Sequence, residues 1–328
     1  MELVVENKVE VQSKQLDVTI RPLQEADLPA ADHVMRVAFG TLIGVPEPAS
    51  FFGDASWVSN RWQTDPSAGF AAEMNGEIVG SNFATRWGSF GFFGPLTIRP
   101  DVWDRGIGSK LMKPILNRFS EWDVALAGLF TSPNSLKHIG LYQKFGFSPR
   151  YLTAIMGKSV NSAGPTMRWG RYSNLSDDEQ NACLKASRRL TDLIFEGLDL
   201  TSEIQAIEAQ SLGDTVLVWD ESELVGFAAC HYGPGTEAGS GSCYVKFAAV
   251  RPDKQASRYF DELLAACERF AATKGALRLV AGVNTSRQEA YKQMLQHGFR
   301  TNIFGVAMHM PNESGFSREG VYVLDDWR

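Results

Sequence analysis

A chain of 328 residues is long enough for two domains of ordinary size. Hydrophobic residues make up 44% of it and charged residues 21%, as in soluble globular proteins. A net charge of −6 excludes the basic excess of a nucleic-acid scaffold and leaves a cationic ligand open. Cys183, Cys230, Cys243 and Cys267 all fall in the second half, without a Cys-x-x-Cys pair or zinc spacing, so no metal site is expected. They read as reduced thiols in a reducing compartment. Residues 1–16 are polar and charged and no run reaches membrane-spanning length, which predicts a cytoplasmic protein with a loose N-terminal tail.

In chain order, Val18 to Pro22 reads as a strand, and Asp27 is placed to cap a helix reaching about Phe39, with Leu28, Ala31, Val34, Met35 and Ala38 as its apolar stripe. An irregular aromatic segment, Gly44 to Trp57, follows. Gly69 to Met74 and Ile78 to Arg86 form strands joined by an Asn75-Gly76 turn. A third strand, Phe90 to Ile98, contains Gly91, Gly94 and Pro95, which predicts a bulge or an edge. Trp87, Phe90, Phe92 and Phe93 are either core or the lining of an acceptor pocket.

Next comes Trp103-Asp104-Arg105-Gly106-Ile107-Gly108, opening a helix with Leu111, Ile115, Phe119 and Trp122 on one face. Glycines let main chain approach a ligand closely, and a helix start offers free N–H groups at the positive end of the dipole, so the stretch reads as a pyrophosphate cradle. Arg105 and Lys110 add positive charge, and Pro114 predicts a kink or a late helix start. A strand from Ala125 to Phe130 then leads through the helix-capping run Thr131 to Ser135 to Leu141-Tyr142-Gln143-Lys144-Phe145-Gly146-Phe147.

These two motifs, in this order, resemble the GNAT superfamily of acyl-CoA N-acyltransferases: Gln/Arg-x-x-Gly-x-Gly/Ala for the cofactor loop and Leu-Tyr-x-Lys-x-Gly-Phe near the end of the domain. Trp103 departs from the usual Gln or Arg. The resemblance implies a mixed, mainly antiparallel sheet, splayed at the third strand and flanked by helices, and acetyl-CoA or another acyl-CoA as co-substrate. It implies cofactor contacts from Leu96, Thr97 and Ile98 on the splayed strand, with a backbone N–H there facing the acyl oxygen. Further contacts are implied from Trp103, Asp104, Arg105, Gly106, Ile107, Gly108, Ser109 and Lys110, and from Asn134 or Ser135 at the start of the next helix. Tyr142 takes the position of the general acid that protonates a leaving thiolate. A base for the acceptor is not identified by motif; Glu73, Glu47, Asp54, His33 and His138 are the candidates.

The second half repeats the first. Glu77-Ile78-Val79-Gly80 recurs as Glu223-Leu224-Val225-Gly226, an offset of 146, and Arg99-Pro100-Asp101 recurs as Arg251-Pro252-Asp253, an offset of 152. Gly146-Phe147 recurs as Gly298-Phe299 at the same 152. The jump falls in Gly233 to Ser242, predicting a lengthened hairpin. The expected fold is therefore α+β with two tandem GNAT domains, residues 17–157 and 166–328, joined by a linker at 158–165. At the 152 offset Gly106 meets Arg258, Gly108 meets Phe260 and Tyr142 meets Met294, so the first copy is expected to be catalytic and the second degenerate. The expected activity is acetyl transfer to the primary amine of a small or amino-acid-like molecule, by a monomer or homodimer with no nucleic-acid or membrane partner. A non-catalytic acyl-CoA sensor is the alternative. A dinucleotide fingerprint fails for want of its third glycine and distal acid, and no Walker motif supports a kinase.

Overall fold

The computed structural model describes residues 17–161 and 164–328; the expected N-terminal tail and part of the expected linker lie outside them. In the first half, β1 (Thr19–Pro22), β2 (Gly69–Met74) and β3 (Glu77–Trp87) form an antiparallel meander. Between β1 and β2 lie α1 (Leu28–Ile43) and α2 (Val58–Thr64). The Asn75-Gly76 turn has both residues at positive φ, 53° and 81°, as a two-residue hairpin loop requires. The third strand is broken in two: β4 (Phe90–Phe93) runs parallel to β6 (Leu126–Thr131), whereas β5 (Thr97–Ile98) stays on β3. Gly94 donates to the Phe83 carbonyl at 2.9 Å, and Pro95 has no N–H to continue the ladder. The expected bulge is thus a full break, and the sheet opens there into a wedge between β5 and β6.

Helix α3 (Ile107–Glu121) connects β5 to β6, and α4 (Leu136–Gln143) follows β6. Of the kink or late start expected from Pro114, the late start is not seen: α3 begins at Ile107 and continues past Pro114, held by Leu111, Met112, Ile115 and Phe119, all buried. Packing of an apolar face outweighs one missing hydrogen bond.

The second half repeats the order. After β8 (Arg168–Arg171) come α5 (Asp177–Ile194), α6 (Thr201–Ala209), β9 (Gly213–Asp220), β10 (Glu223–Gly233), β11 (Gly239–Val250), α7 (Ala256–Thr273), β12 (Arg278–Asn284) and α8 (Gln288–Gln296). The sequence repeat marks a repeated clip: Arg99 holds Glu77 at 2.9 Å and Asp101 at 2.7 Å, and Arg251 holds Glu223 and, at 2.7 Å, Asp253. The lengthened hairpin between β10 and β11 is an arm reaching the first half. Ser56 donates to the Thr236 carbonyl at 3.0 Å, Gly235 to that of Asp54 at 2.8 Å, and Ser240 to the Asp54 carboxylate.

The halves do not close separately. β7 (Ser148–Ser159) and β13 (Arg300–Met310) are exchanged, giving the strand order β6-β13-β7-β12 in one continuous 14-stranded sheet. Thr131 pairs with Val306 and Val283 with Ala154, the same pairing shifted by 152 residues. Each repeat ends by completing its partner's sheet, an internal two-fold exchange. β7 therefore continues through Ser159, where Lys158 faces Leu279 in the ladder at the position expected to start a linker. Between the halves, Trp87, Phe90 and Phe92 pack with Leu190, Ile194, Phe247 and Trp327 in one shared core. Burial of each such side chain is worth about 2 kcal/mol. These aromatics are core, while Phe93 faces α3 and α4.

Candidate active site

Three features meet at the wedge of the first half. At its outer end, Gly106 sits at φ 77° as the residue before α3, with no atom within 4 Å of where a Cβ would be. Its left-handed backbone requires glycine, and the space beside it is open. The first N–H groups of α3 have no partner one turn earlier and face outward. At Gly108 the missing side chain also serves packing: a Cβ there would lie 3.2 Å from Leu141 and 3.3 Å from Ile98, so this glycine lets α3 press against α4 and β5.

The rest of the loop is pinned. Trp103, the departure from the motif, donates from Nε1 to the Ile98 carbonyl at 2.7 Å, fastening the cradle to β5. Lys137, on the first turn of α4, lies over the Trp103 ring at 5.6 Å and pairs with Asp104 at 2.5 Å, neutralising the one acid in the loop. Lys110 turns away, its Nζ 3.5 Å from the Val18 carbonyl. Arg105 and Asn134 are exposed, Ser109 is half-buried, and Ser135 caps α4 by accepting from the His138 N–H at 3.4 Å. Thr97 is buried, its hydroxyl 3.3 Å from that of Ser81, while Leu96 and Ile98 are half-buried on the β5 side of the wedge. Among the described residues, β5 pairs with β3 alone, so its other edge faces the wedge.

At the apex stands Tyr142, 7% exposed. Its ring packs edge-on against Phe93 at 5.6 Å, just before the strand break, and its hydroxyl bonds Thr131 on β6. Burial, opposed by the Thr131 hydrogen bond, pushes the phenol well above its usual 10, which keeps it protonated and able to donate. Thr131 was not marked by the sequence as its partner; only the strand pairing brings it there.

Two of the candidate bases are engaged elsewhere. Glu73 holds Arg21 at 2.7 Å and Asp54 is taken by Ser240. Glu47 and His33 are exposed, and half-buried His138, its pKa lowered by burial and then by Lys137, belongs to the first turn of α4.

The same positions in the second half are built differently. α7 starts at Ala256, so Arg258, the counterpart of Gly106, is inside a helix. Met294 replaces Tyr142 and is fully buried. The wedge between β11 and β12 holds a strand of the chain itself, β14 (Val323–Asp325), paired with Phe247 to Ala249. Arg287, which precedes α8 where Ser135 precedes α4, reaches inward to the Val323 carbonyl at 2.8 Å and Asp325 at 3.0 Å. Tyr244 donates to Asp326 at 2.8 Å. The free cradle and open wedge of the first half thus have no equivalent here.

One half of the duplicated sheet-and-helix scaffold thus keeps an open wedge, with bare main chain at a helix start and a buried phenol beside it. The model of the Acetyltransferase (GNAT) family matches residues 38–147 and again 185–299, and the chain belongs to that family. Among solved structures, a putative acetyltransferase from Pyrococcus horikoshii is similar over 97% of this chain and 96% of its own, at 13% identity and a TM-score of 0.64. A GCN5-related N-acetyltransferase from Sphaerobacter thermophilus is similar over 89% and 95%, at 15% identity and a TM-score of 0.59. Likeness at this identity concerns the fold. A search of the curated proteins gave no match. Among the described residues no helix is long and apolar enough to cross a membrane, and no cluster of acids, histidines and cysteines has metal-binding geometry.

Proposed function

We propose that the protein is an acetyl-CoA-dependent N-acetyltransferase acting on the primary amine of a small or amino-acid-like molecule, with its site in the first half. The reading is carried by one contrast: Gly106 leaves open main chain at the start of α3 beside an open wedge, whereas β14 and Arg287 fill the matching wedge. The residues present fit an acyl-CoA. The outward N–H groups from Gly106 to Ser109 suit a diphosphate, and the unpaired edge of Leu96 to Ile98 suits amide groups that need strand-like partners. Acetyl-CoA supplies a thioester-activated acetyl group.

The chain's own residues would then act as follows. An N–H of the Leu96 to Ile98 segment donates to oxygen as charge develops on it. Tyr142 holds its proton within the protein until a thiolate, whose thiol has a pKa of about 8.5, needs it. The buried walls at Phe93 and Tyr142 exclude water from that transfer. An acetylation screen over an amine library, run with wild type and Tyr142→Phe, tests the proposal: turnover that disappears in the variant supports it. Coenzyme A binding with no turnover of any amine would instead make the protein an acyl-CoA sensor.

A further inference from the structure

A second cavity, of about 230 Å³, lies where the two halves meet. The first half lines it with Arg61 and Thr64 from α2, Asp65 just after that helix, Ala84 to Arg86 from the end of β3, and Trp122; the second half adds Ser202, Glu203 and Lys246. Two contacts tie its lining to the wedge. Arg61 donates to the Gly94 carbonyl at 2.5 Å, at the strand break itself. Ala84 pairs with Phe93, whose ring rests on Tyr142.

One wall of this cavity belongs to a buried charge chain. Arg61 pairs with Glu237 at 3.2 Å, Lys246 bridges Glu237 at 3.1 Å and Glu203 at 2.9 Å, and Glu203 also accepts from Trp87 at 3.2 Å. The paired cations, Lys246 above all for Glu203, hold both carboxylates far below their usual range, Glu237 at about 2, despite burial. Such a chain costs desolvation that well-packed apolar residues would avoid. Arg61, Glu203 and Lys246 of this chain border the cavity, with Glu237 behind them, and buried paired charges at the edge of a cavity point to a recognition site.

We infer that this inter-half cavity receives the acceptor, and that the acceptor is a compact hydrophilic amine of amino-acid or monosaccharide size. The inference rests on the acetyltransferase reading and gives the second half a role: it supplies Ser202, Glu203 and Lys246 to a site whose chemistry lies in the first. The volume, roughly eight waters at about 30 Å³ each, excludes long chains. The Asp65 carboxylate suits a cationic nitrogen, while Arg86 and the hydroxyls of Thr85 and Ser202 suit a carboxylate or hydroxyls on the same small molecule, against a wall that the Glu203–Lys246 pair keeps polar.

Ser202 is exposed on α6, so Ser202→Trp fills the cavity without disturbing the core. Glucosamine and ornithine serve as probes and octylamine as an apolar control, read by thermal shift, by acetylation kinetics and by titration calorimetry with coenzyme A. The expected result is a KM for glucosamine or ornithine at least tenfold higher in Ser202→Trp, loss of their thermal shift, and an unchanged coenzyme A dissociation constant. If Tyr142→Phe abolishes turnover but Ser202→Trp keeps the wild-type KM, the cavity assignment is overturned and the enzyme reading stands. If wild type turns over no amine, yet glucosamine or ornithine stabilises it and not Ser202→Trp, the cavity stands and the enzyme reading falls. Acetylation of octylamine as readily as of glucosamine, or no thermal shift from either probe in wild type, overturns the inference.

Discussion

Tyr142→Phe separates a chemical role from a packing role because the two have different sizes. The substitution keeps the ring against Phe93 and removes only the hydroxyl that bonds Thr131. Loss of that hydrogen bond costs about 1 kcal/mol of stability, with Thr131 itself 7% exposed. In a chain of 328 residues the melting temperature falls by about 1–2 °C. If the phenol gives its proton to the leaving group, the rate falls ~10²- to 10⁴-fold, a barrier increase of about 3–5 kcal/mol. Because burial raises the phenol's pKa above 10, wild type retains this donor through pH 10, and no alkaline loss of rate below that pH arises from Tyr142. The assay is thioester consumption against pH for both proteins, with differential scanning calorimetry and coenzyme A affinity alongside. A kcat in Tyr142→Phe within threefold of wild type, with the expected small loss of stability, would refute the assignment.

Further outcomes are expected. Gly106→Ala forces an alanine into φ 77° at a cost of about 1–2 kcal/mol and weakens coenzyme A binding up to about tenfold. Gly298→Ala, at φ 87° in the second half, costs similar stability and leaves affinity unchanged, as calorimetric titration of both will read. Coenzyme A binds with a stoichiometry of one per chain; two equivalent sites by the same titration would contradict the filled wedge between β11 and β12. His309 is fully buried, and burial lowers its pKa from 6.5 to about 4. The unfolded chain therefore takes up the proton first on acidification, and stability falls as pH drops below 6.5, by about 2 kcal/mol between pH 7 and pH 5. Urea titrations at the two pH values should show this slope, and His309→Phe should flatten it.

Much of this was legible in the sequence. Spacing placed the meander, the Asn75-Gly76 turn and the helix carrying Leu111, Ile115 and Phe119, because periodic burial of side chains is a local property of the chain. Gly106 and Tyr142 stood out through the two motifs, and the structure gives Gly106 a left-handed backbone before α3 and buries Tyr142 against Phe93. The 152-residue repeat was also visible, down to the arginine clips.

The exchange of β7 and β13 was not legible, since either strand's alternation is satisfied equally by its own half or by the other, and only the assembled sheet selects the partner. Nor was the separate work of Gly108, set by the approach of Leu141 and Ile98 from distant segments. The filling of the second wedge by β14, and the charge chain from Arg61 through Glu237 and Lys246 to Glu203, depend on contacts between residues up to 176 positions apart. Local pattern fixes which chemistry a residue can perform. The long-range pairing of strands, and the burial that follows from it, decides which of two nearly equal halves keeps an open wedge.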